Sequence, residues 1–305
     1  MLTFSEPTLD DRHWVAPLLR REGLALCDYS FPVLYCWRET YRFRLCRLGE
    51  RALIRLQIPD GPAFLWPVGE GDPAPAVEAL LADAHSRGEP LRLLGLAEGS
   101  LHWLEERYPG RFAVSHYRNG DNYLYRIDRL AELAGKKLHA KRNHIHRFEA
   151  ACPHWVCAPL ADDDTPGCLA LEERWLGETA AREGNPASLP GEHRAVTEAL
   201  RHREALGLEG IVLREGARLL AFSLGAPHTE TVFTVHFERA DSAVPGAYAA
   251  VNRAFARYVR ERHPDMAYLN REDDMGLAGL RQAKLSYGPD QLLVYKCAVE
   301  TAAEK

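Results

Sequence analysis

Apolar and polar positions alternate along two short stretches near the start of this chain. Tyr41, Phe43 and Leu45 alternate with Arg42, Arg44 and Cys46, and after Gly49-Glu50 a second run sets Ile54, Leu56 and Ile58 against Arg55 and Gln57. A period of two broken by a Gly-containing turn predicts a β-hairpin. The turn at 59–62 leads to a third short apolar run, Ala63 to Trp66. From Pro73 to Arg87 the period lengthens, and Val77, Leu80, Leu81 and Ala84 fall on one side of a predicted helix. A strand over 91–96, a helix over 100–107 and a strand over 111–117 complete the first half.

The second half repeats this order. Residues 210–214 and 218–224 flank the turn Glu215-Gly216, and 231–238 makes a third strand. A helix follows over 246–262, with Tyr248, Val251, Phe255 and Tyr258 at helical spacing. A strand over 266–269, a helix over 276–284 and a strand over 291–297 close the series. Three meander strands followed by helix, strand, helix and strand in each half imply a duplicated α/β module, with 1–128 as one lobe and 129–305 as the other. Helical material over 130–151 and 163–206 is expected to join them.

The 305 residues are 46% hydrophobic, enough for two ordinary domains. A formal net charge of −5 argues against a nucleic-acid binder as a whole and leaves room only for a local basic patch. The start carries acids where a secretory signal would be basic, and no stretch approaches the roughly 20 apolar residues of a membrane span. The reading is a soluble, cytoplasmic protein without an integral membrane segment. Seven scattered cysteines suit a reduced compartment. The cluster Cys152, His154 and Cys157 lacks a second close pair, so buried core cysteines are expected and no metal site.

Three segments carry candidate chemistry. Residues 135–149 hold Lys136, Lys137, Lys141, Arg142 and Arg147 with no acid between Glu132 and Glu149. As a helix this run docks through Leu138, Ile145 and Phe148 and presents Lys137, Lys141 and His144 as a stripe suited to phosphate, or simply to solvent. Residues 268–288 place Asn270, Arg271, Glu272, Asp273 and Asp274 at the C-terminal end of a strand, with Arg281 and Lys284 on the next helix. Strand ends in open α/β sheets are where ligands bind, although acids there also cap helices. Arg281 and Lys284 share a face, opposite either the neighbouring acids or a donor phosphate. The third segment, 238–247, joins strand to helix through Gly246, where free backbone N–H groups could meet an anion.

The runs 136–148 and 269–289 together resemble a bacterial family of uncharacterised proteins grouped with the C-terminal domain of phosphatidylglycerol lysyltransferases. The resemblance implies tandem GNAT-like acyltransferase lobes, each a mixed sheet flanked by helices, as in the Fem-type peptidyltransferases. It implies an acyltransferase or aminoacyltransferase with an acyl-coenzyme A or aminoacyl-tRNA donor, no covalently bound cofactor, and a lipid headgroup or peptide acceptor. The 305 residues are expected to depart from the lysyltransferases in having no counterpart of their membrane-embedded N-terminal region. In GNAT enzymes the loop corresponding to 238–247 holds the coenzyme A pyrophosphate, usually with more glycine.

On this reading Lys137, Lys141, Arg142, Asn143, Gly246, Asn270, Arg271, Arg281 and Lys284 are donor-binding candidates. Glu272 or Asp273 would orient or deprotonate the acceptor, Lys284 or Arg281 would stabilise donor phosphate or oxyanion, and Tyr287 would protonate the leaving group. The competing reading is a non-catalytic binding module. Convergence of Lys141, Arg142, Asn270, Asp273, Lys284 and Tyr287 on one cleft would favour catalysis.

Overall fold

The computed structural model describes residues 2–183 and 189–301. It divides into two compact units, one made of residues 1–122 and 293–305 and the other of 123–292. In the first half the elements are α1 (Arg12–Glu22), α2 (Phe31–Cys36), β1 (Arg44–Leu48), β2 (Arg51–Ile58), β3 (Gly61–Leu65), β4 (Val68–Gly69), α3 (Ala74–Ser86), β5 (Arg92–Leu96), α4 (Glu98–Arg107) and β6 (Phe112–His116). Next come β7 (Asn122–Arg126), α5 (Ile127–Glu132), α6 (His139–Ala151), β8 (Trp155–Pro159), α7 (Thr165–Glu183), α8 (Leu189–Arg201) and α9 (Arg203–Leu206). The rest are β9 (Glu209–Glu215), β10 (Arg218–Pro227), β11 (Val232–Ala240), α10 (Ala247–Arg262), β12 (Tyr268–Asn270), α11 (Ala278–Leu285), β13 (Gln291–Leu293) and β14 (Lys296–Glu300).

Each unit has one mixed sheet. The first runs β1-β2-β3-β5-β14-β6 and the second β13-β7-β12-β11-β10-β9-β8. In both, an antiparallel meander meets its next strand in parallel, β3 with β5 and β11 with β12. In both, the following place is taken by a strand from elsewhere in the chain. β14 lies antiparallel between β5 and β6, and β7 lies antiparallel to β12. The duplicated order is therefore present, with a reciprocal exchange of strands.

That exchange alters two expectations. The strand expected over 291–297 is two strands, β13 in the second sheet and β14 in the first. The boundary at 128 moves likewise, since residues 123–126 belong with the second unit and 293–305 with the first.

In the second unit, α10 buries Val251, Phe255 and Val259 against the sheet, with Phe255 5.7 Å from Phe233 between ring centroids. Such apolar side chains each contribute about 1.5–3 kcal/mol by leaving water. Ile145 and Phe148 of α6 join this core, as their spacing predicts, while Tyr248 is exposed. The backbone of α6 comes so close to the start of α10 that a Cβ on Gly246, at φ +80°, would stand 1.9 Å from the carbonyl oxygen of His144. Only glycine fits there. Six cysteines are buried, but Cys157 is exposed on edge strand β8, which corrects the expectation of a core residue at that position.

Candidate functional site

The site follows from how β11 and β12 part. They pair only from Val232 opposite Tyr268 to Thr234 opposite Asn270, whereas β11 continues along β10 to Ala240. An extra residue interrupts β11, because Phe237 faces Leu224 and Val235 faces Gly225, leaving His236 as a bulge. Bulges re-aim side chains where pairing ends. Beyond Asn270 the chain turns into the loop 271–277, with Glu272 and Met275 at φ +56° and +49°. Such angles are uncommon outside glycine. Asn270 supports the turn by accepting from the Glu272 N–H at 2.7 Å, and β7 holds it through Arg271 N–H to the Tyr123 carbonyl at 3.0 Å.

Two polar groups meet here. In the first, His236 Nδ1 lies 2.7 Å from Glu272 Oε1, and its buried Nε2 has no hydrogen-bond partner among the described residues. A carboxylate only accepts, so in the neutral imidazole Nδ1 carries the proton and Nε2 the lone pair. In the second, Arg271 donates Nη2 to Glu238 Oε1 at 3.0 Å, and Glu238 also accepts from Asn252 at 3.2 Å. The Arg271 guanidinium lies 5.0 Å from the Tyr287 ring centroid and 5.9 Å from that of Tyr125. Burial opposes its charge, but Glu238 and the two tyrosines outweigh this and raise its pKa. Lys141 Nζ sits 4.1 Å from the same Tyr287 ring, and burial followed by repulsion from Arg271 lowers its pKa. Burial pushes the Tyr287 hydroxyl up to about 12.

Beneath the loop, Asp274 is fully buried and accepts from Arg281 Nε and Nη2, both at 2.8 Å, and from the Tyr123 hydroxyl. Burial alone would raise its pKa, yet the bonds from Arg281, Tyr123 and the Gly276 N–H hold it at about 2. Lys284 is also buried and donates to the carbonyls of Arg271 and Asp273, while its own carbonyl accepts from the Tyr125 hydroxyl at 2.8 Å.

The residues expected at the site therefore separate by role. Lys141, Asn270, Arg271, Glu272, Lys284 and Tyr287 come together around the end of β12. Arg281 finds a salt bridge, not a phosphate, and Lys284 finds backbone carbonyls, because a wholly buried carboxylate and a tight turn both require donors. Asp273 caps the Met275 N–H at 2.9 Å. Arg142 donates to the carbonyls of Leu133 and, at 2.8 Å, Gly135, which ties α6 to the preceding loop. Asn143 lies 3.4 Å from His139 on the exposed side of α6, and Lys137 is exposed. Gly246 is needed for helix packing, and the buried start of α10 is covered by α6. Sequence reasoning missed Tyr123, Tyr125, His236, Glu238 and Asn252. The signal for the last three was polarity inside apolar runs, VFTVHFERA for β11 and a buried Asn on α10.

Among the described residues no group of three or more His, Cys, Asp or Glu side chains could hold a metal ion, and no helix is long and apolar enough to cross a membrane.

Two mixed sheets of this repeated topology, each with one parallel pair, define a duplicated α/β fold. The chain belongs to the family described as phosphatidylglycerol lysyltransferase, C-terminal, which matches residues 21–298. It is 34% identical to a protein of unknown function from Bacteroides thetaiotaomicron VPI-5482 over 99% of this chain and 100% of that one, with a TM-score of 0.90. The C-terminal domain of a putative lysylphosphatidylglycerol synthetase from Agrobacterium fabrum shares the fold at 13% identity and a TM-score of 0.66, covering 97% of this chain and 93% of that one. FemX does so at 11% identity and 0.58, covering 97% and 96%. Among curated proteins none matches the chain in sequence.

Proposed function

We propose that the chain transfers an acyl or aminoacyl group from a coenzyme A thioester or an aminoacyl-tRNA ester to an amine or hydroxyl acceptor. Family and fold favour this class of reaction, and one observation carries its location: a buried imidazole with a free Nε2, oriented by a carboxylate, where β11 and β12 part. On this reading His236 Nε2 takes the proton of the acceptor as its oxygen or nitrogen bonds to the donor carbonyl carbon. Glu272 fixes the tautomer and balances the imidazolium, so it acts through His236 and not on the acceptor itself. As the tetrahedral intermediate collapses, the donor's C–O or C–S bond breaks and the Tyr287 hydroxyl supplies a proton to the leaving group. Solvent then carries a proton from His236 back to Tyr287, which restores both.

The test is transfer from acyl-coenzyme A and from aminoacyl-tRNA, assayed with amine and phospholipid acceptors. His236→Asn and Glu272→Gln are expected to lower transfer by roughly 10²-fold or more, the usual range for a lost general base, with donor affinity in low-salt calorimetry changed less than about threefold. Tyr287→Phe keeps the ring and tests the proton source alone. Full transfer by His236→Asn would refute the assignment. A wild-type protein that binds donors without turnover would instead be a binding module.

A further inference from the structure

Eight lysine and arginine side chains in the two motifs have the chemistry to hold an anion, and their partners and exposure separate them. Arg281 is committed to Asp274, Lys284 to the carbonyls of Arg271 and Asp273, and Arg142 to those of Leu133 and Gly135. Lys136 and Lys137 are exposed on the turn before α6, and Arg147 is exposed on α6 itself. Lys141 and Arg271 remain, and they meet on one aromatic ring, 4.1 Å and 5.0 Å from the centroid of Tyr287.

These two cations have one carboxylate between them. Glu238 binds Arg271 Nη2 and also accepts from Asn252, while Glu272 is engaged by His236. Among the described residues Lys141 has no carboxylate partner, and Arg271 Nη1 is buried without any acceptor. A buried N–H without an acceptor is costly, and two cations drawn against one ring repel unless an anion joins them. Lys141 is half-buried, so part of its side chain meets solvent. Glu238 answers Arg271 Nη2 and Glu272 is turned to His236, so what the pair leaves unmet is donors, Arg271 Nη1 and Lys141 Nζ, which suits an anion with at least two acceptor oxygens.

We infer that Arg271 and Lys141, on the ring of Tyr287, form a binding site for an oxyanion with two acceptor oxygens, the group presented by a phosphodiester or a carboxylate. This deepens the proposed transfer reading by naming the group held beside His236, and it rests on that reading only for its purpose. A guanidinium N–H and an ammonium reaching the same anion would give charge-assisted bonds stronger than neutral ones. The ring of Tyr287 would keep both cations in place when the site is empty.

The experiment is a chemical-shift titration of the full chain at low salt with dimethyl phosphate in one arm and sodium acetate in the other. The wild type is expected to bind one or both. Lys141→Gln should weaken that binding at least tenfold, and Lys137→Gln should leave it unchanged. Dimethyl phosphate alone would identify a phosphodiester ligand, and acetate alone a carboxylate. Because Arg271 is mostly covered and holds Glu238, so that its removal endangers folding, Arg271→Lys serves as the second variant, which keeps the charge, loses the forked N–H donors and should also weaken binding. Failure of both probes to bind the wild type would overturn the site, as would equal binding by Lys141→Gln or an equal loss in Lys137→Gln. His236→Asn is expected to bind as the wild type does, so loss of transfer and loss of the anion site are separately readable.

Discussion

Replacing Asp274 by asparagine tests whether the loop that carries Arg271 and Glu272 is held by charge. The carboxylate is fully buried, and its pKa is about 2 against an ordinary 3.8. A folded-state pKa below the unfolded one stabilises at pH values above the unfolded pKa, and this stabilisation fades as pH falls through the folded value. The difference corresponds to roughly 2 kcal/mol at neutral pH, and linkage leaves about half of it at pH 3. The Asp274→Asn variant would keep the shape but lose the charge-assisted pair with Arg281. Urea unfolding at pH 7 should show a loss of roughly 2–3 kcal/mol, or a melting temperature lower by roughly 5–10 °C for a unit of this size. At pH 3 the gap between wild type and variant should close to about half. Hydrogen exchange over residues 271–285 would show that the loss is seated in the loop. A gap that is the same at both pH values, or a loss below about 0.5 kcal/mol, would refute the charge argument and leave Asp274 as a packing residue.

Two further substitutions test the architecture. Gly246→Ala should destabilise by more than about 2 kcal/mol, since its Cβ has no room against the His144 carbonyl and its φ is positive; a thermal melt within 2 °C of wild type, a shift of under about 1 kcal/mol for a unit of this size, would count against that packing. Arg239 is buried on β11, donating to the fully buried Glu172 at 2.6 Å and to Glu192 at 2.7 Å. Arg239→Met should therefore cost roughly 3–5 kcal/mol in denaturant unfolding by stranding a buried carboxylate, and the double variant with Glu172→Gln should recover part of the loss.

Local pattern made most of the fold legible. The hairpin of β1 and β2, the stripe Val77, Leu80, Leu81 and Ala84 of α3, and the docking face of α6 all lie where periodicity puts them, because each buries one face within its own neighbourhood. The exchange of β7 and β14 was not legible. Tyr123 to Tyr125 and Cys297 to Val299 are short apolar runs whose partners lie far along the chain, and periodicity does not record partners. The site shows the same division. Residues 271–287 were visible as a charged run at a strand end, but charge pattern alone could not separate Arg281 and Lys284, which serve the loop, from Lys141 and Arg271, which face Tyr287. His236 becomes notable only through the bulge that re-aims it, and the bulge depends on pairing with β10.

The place of β14 also sets a timetable. In the first sheet β5 and β6 are not neighbours; β14 separates them, pairing Ala298 with Leu93 on one side and with Val114 on the other. During synthesis at about 5–20 residues per second, the strands of that sheet emerge early and wait for a partner some two hundred residues downstream. The second unit, continuous from 123 to 292, has all its strands before that partner is made. The unit begun first is thus finished last, and until then the edges of β5 and β6 are open to mispairing. A chain that stalls or is cut shortly before residue 296 would carry one completed unit and one with a gap in its sheet.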